Sequence, residues 1–241
     1  MGTVSSEHRH VIPLRWADLD SLNHVNNVVY LRYAAEARAA LIERGLMDDR
    51  RITRIAVEFV RPIQLGPRPV IVTSRLEGDD VVHEIGIEGS PHLYARVTWG
   101  HDGVGRVDPI EGVDSLPLTL RRLDLDERGV VDPVQICELL QESRIPFMSS
   151  LFDEGERGTV VLAHLDVRLH AAIAWRSEPV ESRVWVDRVG GSSYTIAAQL
   201  CVDGRAAVSS DAVLVGFDAS TQRSRAMTDP ERAALVRGMR S

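Results

Sequence analysis

The stretch of this 241-residue chain richest in groups able to do chemistry is Arg15-Trp16-Ala17-Asp18-Leu19-Asp20-Ser21-Leu22-Asn23-His24-Val25-Asn26-Asn27-Val28-Val29-Tyr30. It reads as a strand end, a polar turn and the start of a helix. That order sets a carboxylate, Asp20, and an imidazole, His24, beside the first N–H groups of a helix. Those groups have no partner within the helix and sit at the positive end of its dipole, so the place favours negative charge. Hydrolysis of a thioester needs a base or nucleophile to deliver oxygen to the carbonyl carbon, and fixed donors for the oxyanion that develops. An aspartate at a helix N-terminus supplies both. Taken singly, these residues have plainer roles. An aspartate ahead of a helix is more often a turn or cap residue, Asn26 is a natural cap, and Asp18 reads as a loop-ordering acid.

A helix and a sheet must position such a segment, and the chain encodes that arrangement twice. Sliding the sequence by 106 residues lays 15–45 on 121–151 with eight of 31 positions identical, among them Asp18/Asp124 and Asp20/Asp126; unrelated segments would share about two. Tyr30, Tyr33, Ala34, Ala37 and Leu41 follow helical spacing, and the shift places Ile136, Leu139, Leu140, Ser143 and Phe147 on the same face. Asn26 caps the first helix and Gly45 stops it; Asp132 caps the second with Pro133 as its first residue, and Pro146 should bend or end it early. Strand-like segments follow each helix, at 53–61, 70–77, 81–88 and 93–99, then at 159–170, 180–189, 193–202 and 206–217. Gly78-Asp79-Asp80 and Gly190-Gly191 read as hairpin turns. Each half is therefore expected to be α+β, an antiparallel sheet wrapped around one long helix. The expected domains are 1–103 and 118–241, joined by a Gly- and Pro-rich linker over 104–117, with a short exposed helix starting at Thr228-Asp229-Pro230-Glu231.

The segment closely resembles the hotdog-fold thioesterases of the 4-hydroxybenzoyl-CoA thioesterase type and the plant-type acyl-ACP thioesterases. Their pattern is Asp-x-Asp, a short turn, His-Val-Asn-Asn and a tyrosine, matched here by Asp18, Asp20, His24, Val25, Asn26, Asn27 and Tyr30. The close match spans about sixteen residues; the repeat and the element order extend a weaker one over both halves. The resemblance implies two fused hotdog domains and acyl-thioester hydrolysis. It makes Asp20 the base or nucleophile, His24 its partner from the acyl-ACP branch, and Glu58 the counterpart of that branch's functional glutamate. Asp18, Asn26, Asn27 and Tyr30 are implied at the substrate. The acyl-ACP branch has asparagine two residues after the second aspartate, where this chain has Leu22 and then Asn23. The second copy keeps Asp124 and Asp126 but replaces His-Val-Asn-Asn by Val130-Val131-Asp132-Pro133. It loses the imidazole and sets a carboxylate where an oxyanion would form, so a degenerate second site is expected. Hotdog domains resemble one another in pairing edge to edge, which removes unpaired sheet edges. That implies pairing within this chain, with further pairing into a homodimer left open, and an acyl tunnel lined by the tyrosines and alanines of the first helix.

Composition narrows the rest. The net charge is −7 and all 28 basic residues are arginine, which excludes a lysine Schiff base or a P-loop lysine. An acidic chain is a poor general binder of nucleic acid, and its charge slightly favours acyl-CoA over an acidic acyl-carrier protein as substrate. No apolar run approaches the roughly 18 residues of a membrane span, and no export signal follows Met1. With Cys137 and Cys201 as the two cysteines, a reduced cytoplasmic protein is expected; the resemblance implies an enzyme of fatty-acid metabolism without cofactor or metal. His8 and His10 share a strand face but lack a third ligand. Arg50, Arg51, Arg54 and Arg61 are solvated surface by default, with a phosphate contact as the alternative. Two rival functions remain: a non-catalytic acyl-thioester-binding or scaffold protein, and a hotdog enoyl-CoA hydratase, whose Asp-x-x-x-x-His spacing is one residue longer than that of Asp20 and His24.

Overall fold

A computed structural model describes residues 7–20, 23–152, 158–218, 220–221 and 223–240. The chain divides into two compact units, Met1–Gly103 and Val104–Ser241. In the first, strand β1 (His8–Ile12) precedes helix α1 (Asn27–Glu43), and strands β2 (Arg54–Phe59), β3 (Val70–Glu77), β4 (Asp80–Ile87) and β5 (Ala95–Gly100) follow. All pairings are antiparallel and the strand order is β1-β3-β4-β5-β2. The second unit repeats this with β6 (Ser115–Leu118), α2 (Pro133–Leu151), β7 (Val160–Leu169), β8 (Val180–Val189), β9 (Ser193–Val202) and β10 (Arg205–Asp218). Its order is β6-β8-β9-β10-β7, again antiparallel. A short β11 (Arg223–Ser224) pairs with β10, and helix α3 (Asp229–Arg237) closes the chain.

In the first unit α1 lies across β1, β3, β4 and β5. Tyr30, Tyr33, Ala34, Ala37 and Leu41 are all buried on that side, and Ile55, Val57, Val70, Val72, Ile85 and Val97 meet them from the sheet with no exposure at the six strand positions. The helix stops where expected: Gly45 adopts φ +66°, its N–H reaches Ile42 C=O, and Leu46 N–H reaches Leu41 C=O. Tyr30, Tyr33, Ala34 and Ala37 form part of this unit's core.

The second unit departs from expectation in three places. Pro146 lies inside α2, which continues to Leu151. An internal proline costs about 3 kcal/mol; burial of Met148, to 2% exposure, offsets about 2 kcal/mol of that. Ser149 and Ser150 hydroxyls also satisfy the C=O groups of Ile145 and Phe147. The stretch 104–117, expected as a linker, is tied to this unit and ends in β6. Ile110 N–H donates to Gln199 Oε1 at 2.7 Å, Gln199 Nε2 donates to Asp108 C=O at 3.2 Å, and Arg183 donates to Ile110 C=O. The terminal helix, expected to be exposed, buries Ala234 and Leu235 completely. Thr228 caps it in a reciprocal pair with Glu231, and Val186 N–H holds Gly238 C=O at 3.0 Å.

Candidate active site

The segment ahead of α1 folds as a small closed loop. Residues 16–18 make a 3-10 turn, after which the chain pairs with itself across Leu19 and Val25. Asp20 N–H donates to His24 C=O at 2.8 Å, and His24 N–H donates to Asp20 Oδ1 at 3.1 Å. Asn23 N–H reaches Asp20 C=O at 3.1 Å, and Asn23 takes φ +59°, a left-handed conformation that asparagine tolerates better than most residues. Asp20 and His24, both half-buried, are thus joined by one backbone–backbone bond and one from the His24 N–H to the Asp20 carboxylate. Ser21 and Leu22, the latter at the position where the acyl-ACP pattern has asparagine, lie outside the described residues.

The loop is fastened to the rest of the unit on two sides. Val25 N–H donates to Ile63 C=O at 2.8 Å, and His24 bridges to Gln64. Tyr30 fixes that second segment, since its hydroxyl accepts from Ile63 N–H at 2.9 Å and donates to Arg61 C=O at 3.4 Å. Its ring stands edge-on to Phe59. Loss of water around the phenol, with Asp20 adding a smaller push, raises Tyr30 to about 12 even though Ile63 N–H pulls the other way. Tyr30 is therefore a buried strut at 2% exposure.

On the other side, Asp18 Oδ2 accepts both Arg15 N–H at 2.9 Å and the Tyr33 hydroxyl at 2.7 Å, while Asp18 C=O accepts Asn26 N–H at 2.9 Å. Asn26 Oδ1 caps α1 by accepting Val28 N–H at 3.0 Å. Asp18 and Asn26 thus shape the loop, and Asn27 opens the helix. Glu58 is placed elsewhere. It points from the β2 face opposite Ile55 and Val57, is exposed, and pairs with Arg96 at 3.3 Å, which also holds Glu84. The loop unites Asp18, Asp20, His24, Asn26 and Asn27, and Glu58 is held in a surface ion-pair ladder. Sequence reasoning missed the part played by Tyr33, although a tyrosine on an otherwise apolar helix face needs a partner for its hydroxyl. His10 Nε2 lies 4.0 Å from Glu36 of α1, so that histidine faces the helix.

Residues 2–101 match the family model described as acyl-ACP thioesterase C-terminal domain. The first unit is thus similar to a family of thioesterases. Solved structures extend the likeness of fold beyond it. A Lactobacillus plantarum protein described as an oleoyl thioesterase is 13% identical, with a TM-score of 0.67 over 89% of this chain and 98% of that one. The 12:0-ACP thioesterase of Umbellularia californica is 11% identical, with a TM-score of 0.67 over 91% and 94%. An acyl-ACP thioesterase of Bacteroides thetaiotaomicron is 12% identical, with a TM-score of 0.53 over 87% and 97%. No curated protein matches the sequence. The unit that matches this model carries the loop just described, and each unit sets one long helix on an antiparallel sheet. No helix among the described residues is long and apolar enough to cross a membrane.

Proposed function

We propose that the chain hydrolyses acyl thioesters in its first unit, with Asp20 as general base or nucleophile. The observation that carries this reading is the closed loop in which Asp20 and His24 bond to each other just ahead of the capped start of α1. In the base route, Asp20 takes a proton from water as the water oxygen bonds to the carbonyl carbon. The resulting oxyanion lies in the positive field of the helix start. Its collapse breaks the C–S bond, and the leaving thiolate takes the proton back from Asp20. In the nucleophile route, a carboxylate oxygen of Asp20 bonds to that carbon, the thiolate leaves, and water splits the mixed anhydride. His24 is assigned to the same carbonyl as a supporting group. Asp18, Asn26 and Tyr30 are assigned to the frame. Glu58 is left out because Arg96 holds it. The second unit is assigned no chemistry.

Acyl-CoA is the proposed substrate class, since a net charge of −7 repels an acidic carrier protein. Acyl-ACP is the second reading, favoured by the description of the matching family. Thiol release from a panel of acyl-CoAs and acyl-ACPs, short to long and aromatic, tests both. Turnover of some acyl-CoA that collapses in Asp20→Asn supports the proposal. Turnover confined to acyl-ACP replaces the substrate class, and no turnover by folded protein refutes hydrolysis.

A further inference from the structure

We propose that Tyr33 is a positioning residue for Asp20, acting as a hydroxyl latch that holds Asp18 against α1. This rests on the assignment of Asp20 above. The Tyr33 hydroxyl donates to Asp18 Oδ2 at 2.7 Å from a side chain only 4% exposed. Asp18 is the residue on which the loop turns. Its carboxylate also holds Arg15 N–H, its carbonyl holds Asn26 N–H, and Asp20 lies two residues on. Burial, reinforced by the Asp18 charge, raises the Tyr33 phenol above its ordinary range, so it remains a donor at any working pH.

The second unit shows what the latch is not needed for. There Leu139 stands in place of Tyr33. Asp124 still accepts Arg121 N–H at 2.6 Å through Oδ2 and Asp132 N–H at 2.9 Å through its carbonyl. The loop frame therefore forms without any hydroxyl from the helix. What the hydroxyl adds in the first unit is a fixed carboxylate, tying the Asp18 charge to the flank of α1 and steadying the turn that aims Asp20. Misplacement of a reacting group by about 1 Å can cost 100-fold in rate, and a loosened latch is a milder disturbance.

The test is Tyr33→Phe, alone and combined with Asp20→Asn, assayed by thiol release. We expect kcat to fall about tenfold with KM changed less than twofold and the melting temperature nearly unchanged. The double variant should be no slower than Asp20→Asn. A Tyr33→Phe enzyme with wild-type kcat, or two losses that multiply, overturns the latch. If Asp20→Asn is as active as wild type, it is the assignment of Asp20 that has failed. The latch is then read separately, by amide exchange. Exchange at the Asn26 N–H that quickens about tenfold in Tyr33→Phe upholds it, and unchanged exchange overturns it.

Discussion

Asp20 and Asp126 share several bonds of one backbone frame. Asp126 N–H donates to Val130 C=O at 2.8 Å and Val130 N–H returns to Asp126 Oδ1 at 3.2 Å, as His24 does for Asp20. Gly129 takes φ +77° where Asn23 takes +59°. Val131 N–H reaches Ile173 C=O at 2.8 Å, the counterpart of Val25 and Ile63. Within that shared frame the side chains differ. The second loop has Val130 for His24 and Leu139 for Tyr33, and Arg128 donates to Asp126 Oδ2 at 3.2 Å. The guanidinium of Arg128 thus covers one carboxylate oxygen of Asp126. A frame that forms with Val130 and Leu139 as well as with His24 and Tyr33 does not depend on those side chains to fold.

The sharpest way to break this comparison is to remove each carboxylate in turn. Asp20→Asn should lower kcat at least 100-fold, the lower end for general acid–base catalysis, while Asp126→Asn leaves thiol release unchanged. Equal losses in the two variants would mean that Arg128 does not silence the second loop.

The two units should also part under acid. In the first, His83 is fully buried between β3 and β5, with Nδ1 against Ser74 Oγ at 2.7 Å. Loss of water, with Arg38 adding to it, lowers its pKa to about 3. The fold thus favours neutral His83. That contribution is complete above about pH 6.5 and is lost as the pH falls toward 3, on the order of a few kcal/mol. In the second unit, Glu231 is held to about 2, chiefly by Arg225, so its contribution is lost only below about pH 4.5. Hydrogen exchange, corrected for the intrinsic rate, should show β3 and β4 losing protection before α3 as the pH drops from 7 to 4. The reverse order would refute this account.

Much of this was legible in the sequence. The bounds of β3 and β8 follow from runs rich in β-branched residues ending at Gly78 and Gly190. Both helix caps were legible because they depend on neighbours in the chain. What was not legible depends on distant contacts. Neither the hold of Ile63 and Gln64 on the loop nor the capture of Glu58 by Arg96 leaves a local mark. The same is true of the packing that carries α2 past Pro146 and buries one face of α3. Tyr33 was an intermediate case, its spacing marking it as core and its hydroxyl marking it as something more.

A smaller loss tests the side-chain difference directly. His24→Val installs the second loop's residue in the first. The Val130 loop keeps both backbone bonds, so this variant should fold normally and lose about tenfold in kcat, since only the imidazole is gone. Thiol release at wild-type rates would reduce His24 to a backbone role.

The smallest expected effect concerns the faces of the two sheets that their helices do not cover. In the first unit the strand pair β2–β5 sets Glu58 opposite Arg96, and Arg96 opposite Glu84 on β4, so the charges alternate. The matching pair β7–β10 sets Asp166 opposite Asp211, two like charges in register. Arg168, 3.5 Å from Asp166, relieves part of this. Asp211 still sits above the usual carboxylate range, first through loss of water and then through Asp187 and Asp166. A carboxyl raised in the fold opposes folding while it is charged. Asp211→Asn should therefore stabilise the protein at neutral pH, by about 0.5 kcal/mol on the scale of cross-strand pairs. The gain should vanish as the pH falls below the range in which the unfolded chain's carboxyl ionises. Urea unfolding at pH 7 and pH 3 measures both. A gain that persists at pH 3 would trace to packing and not to the opposed charges.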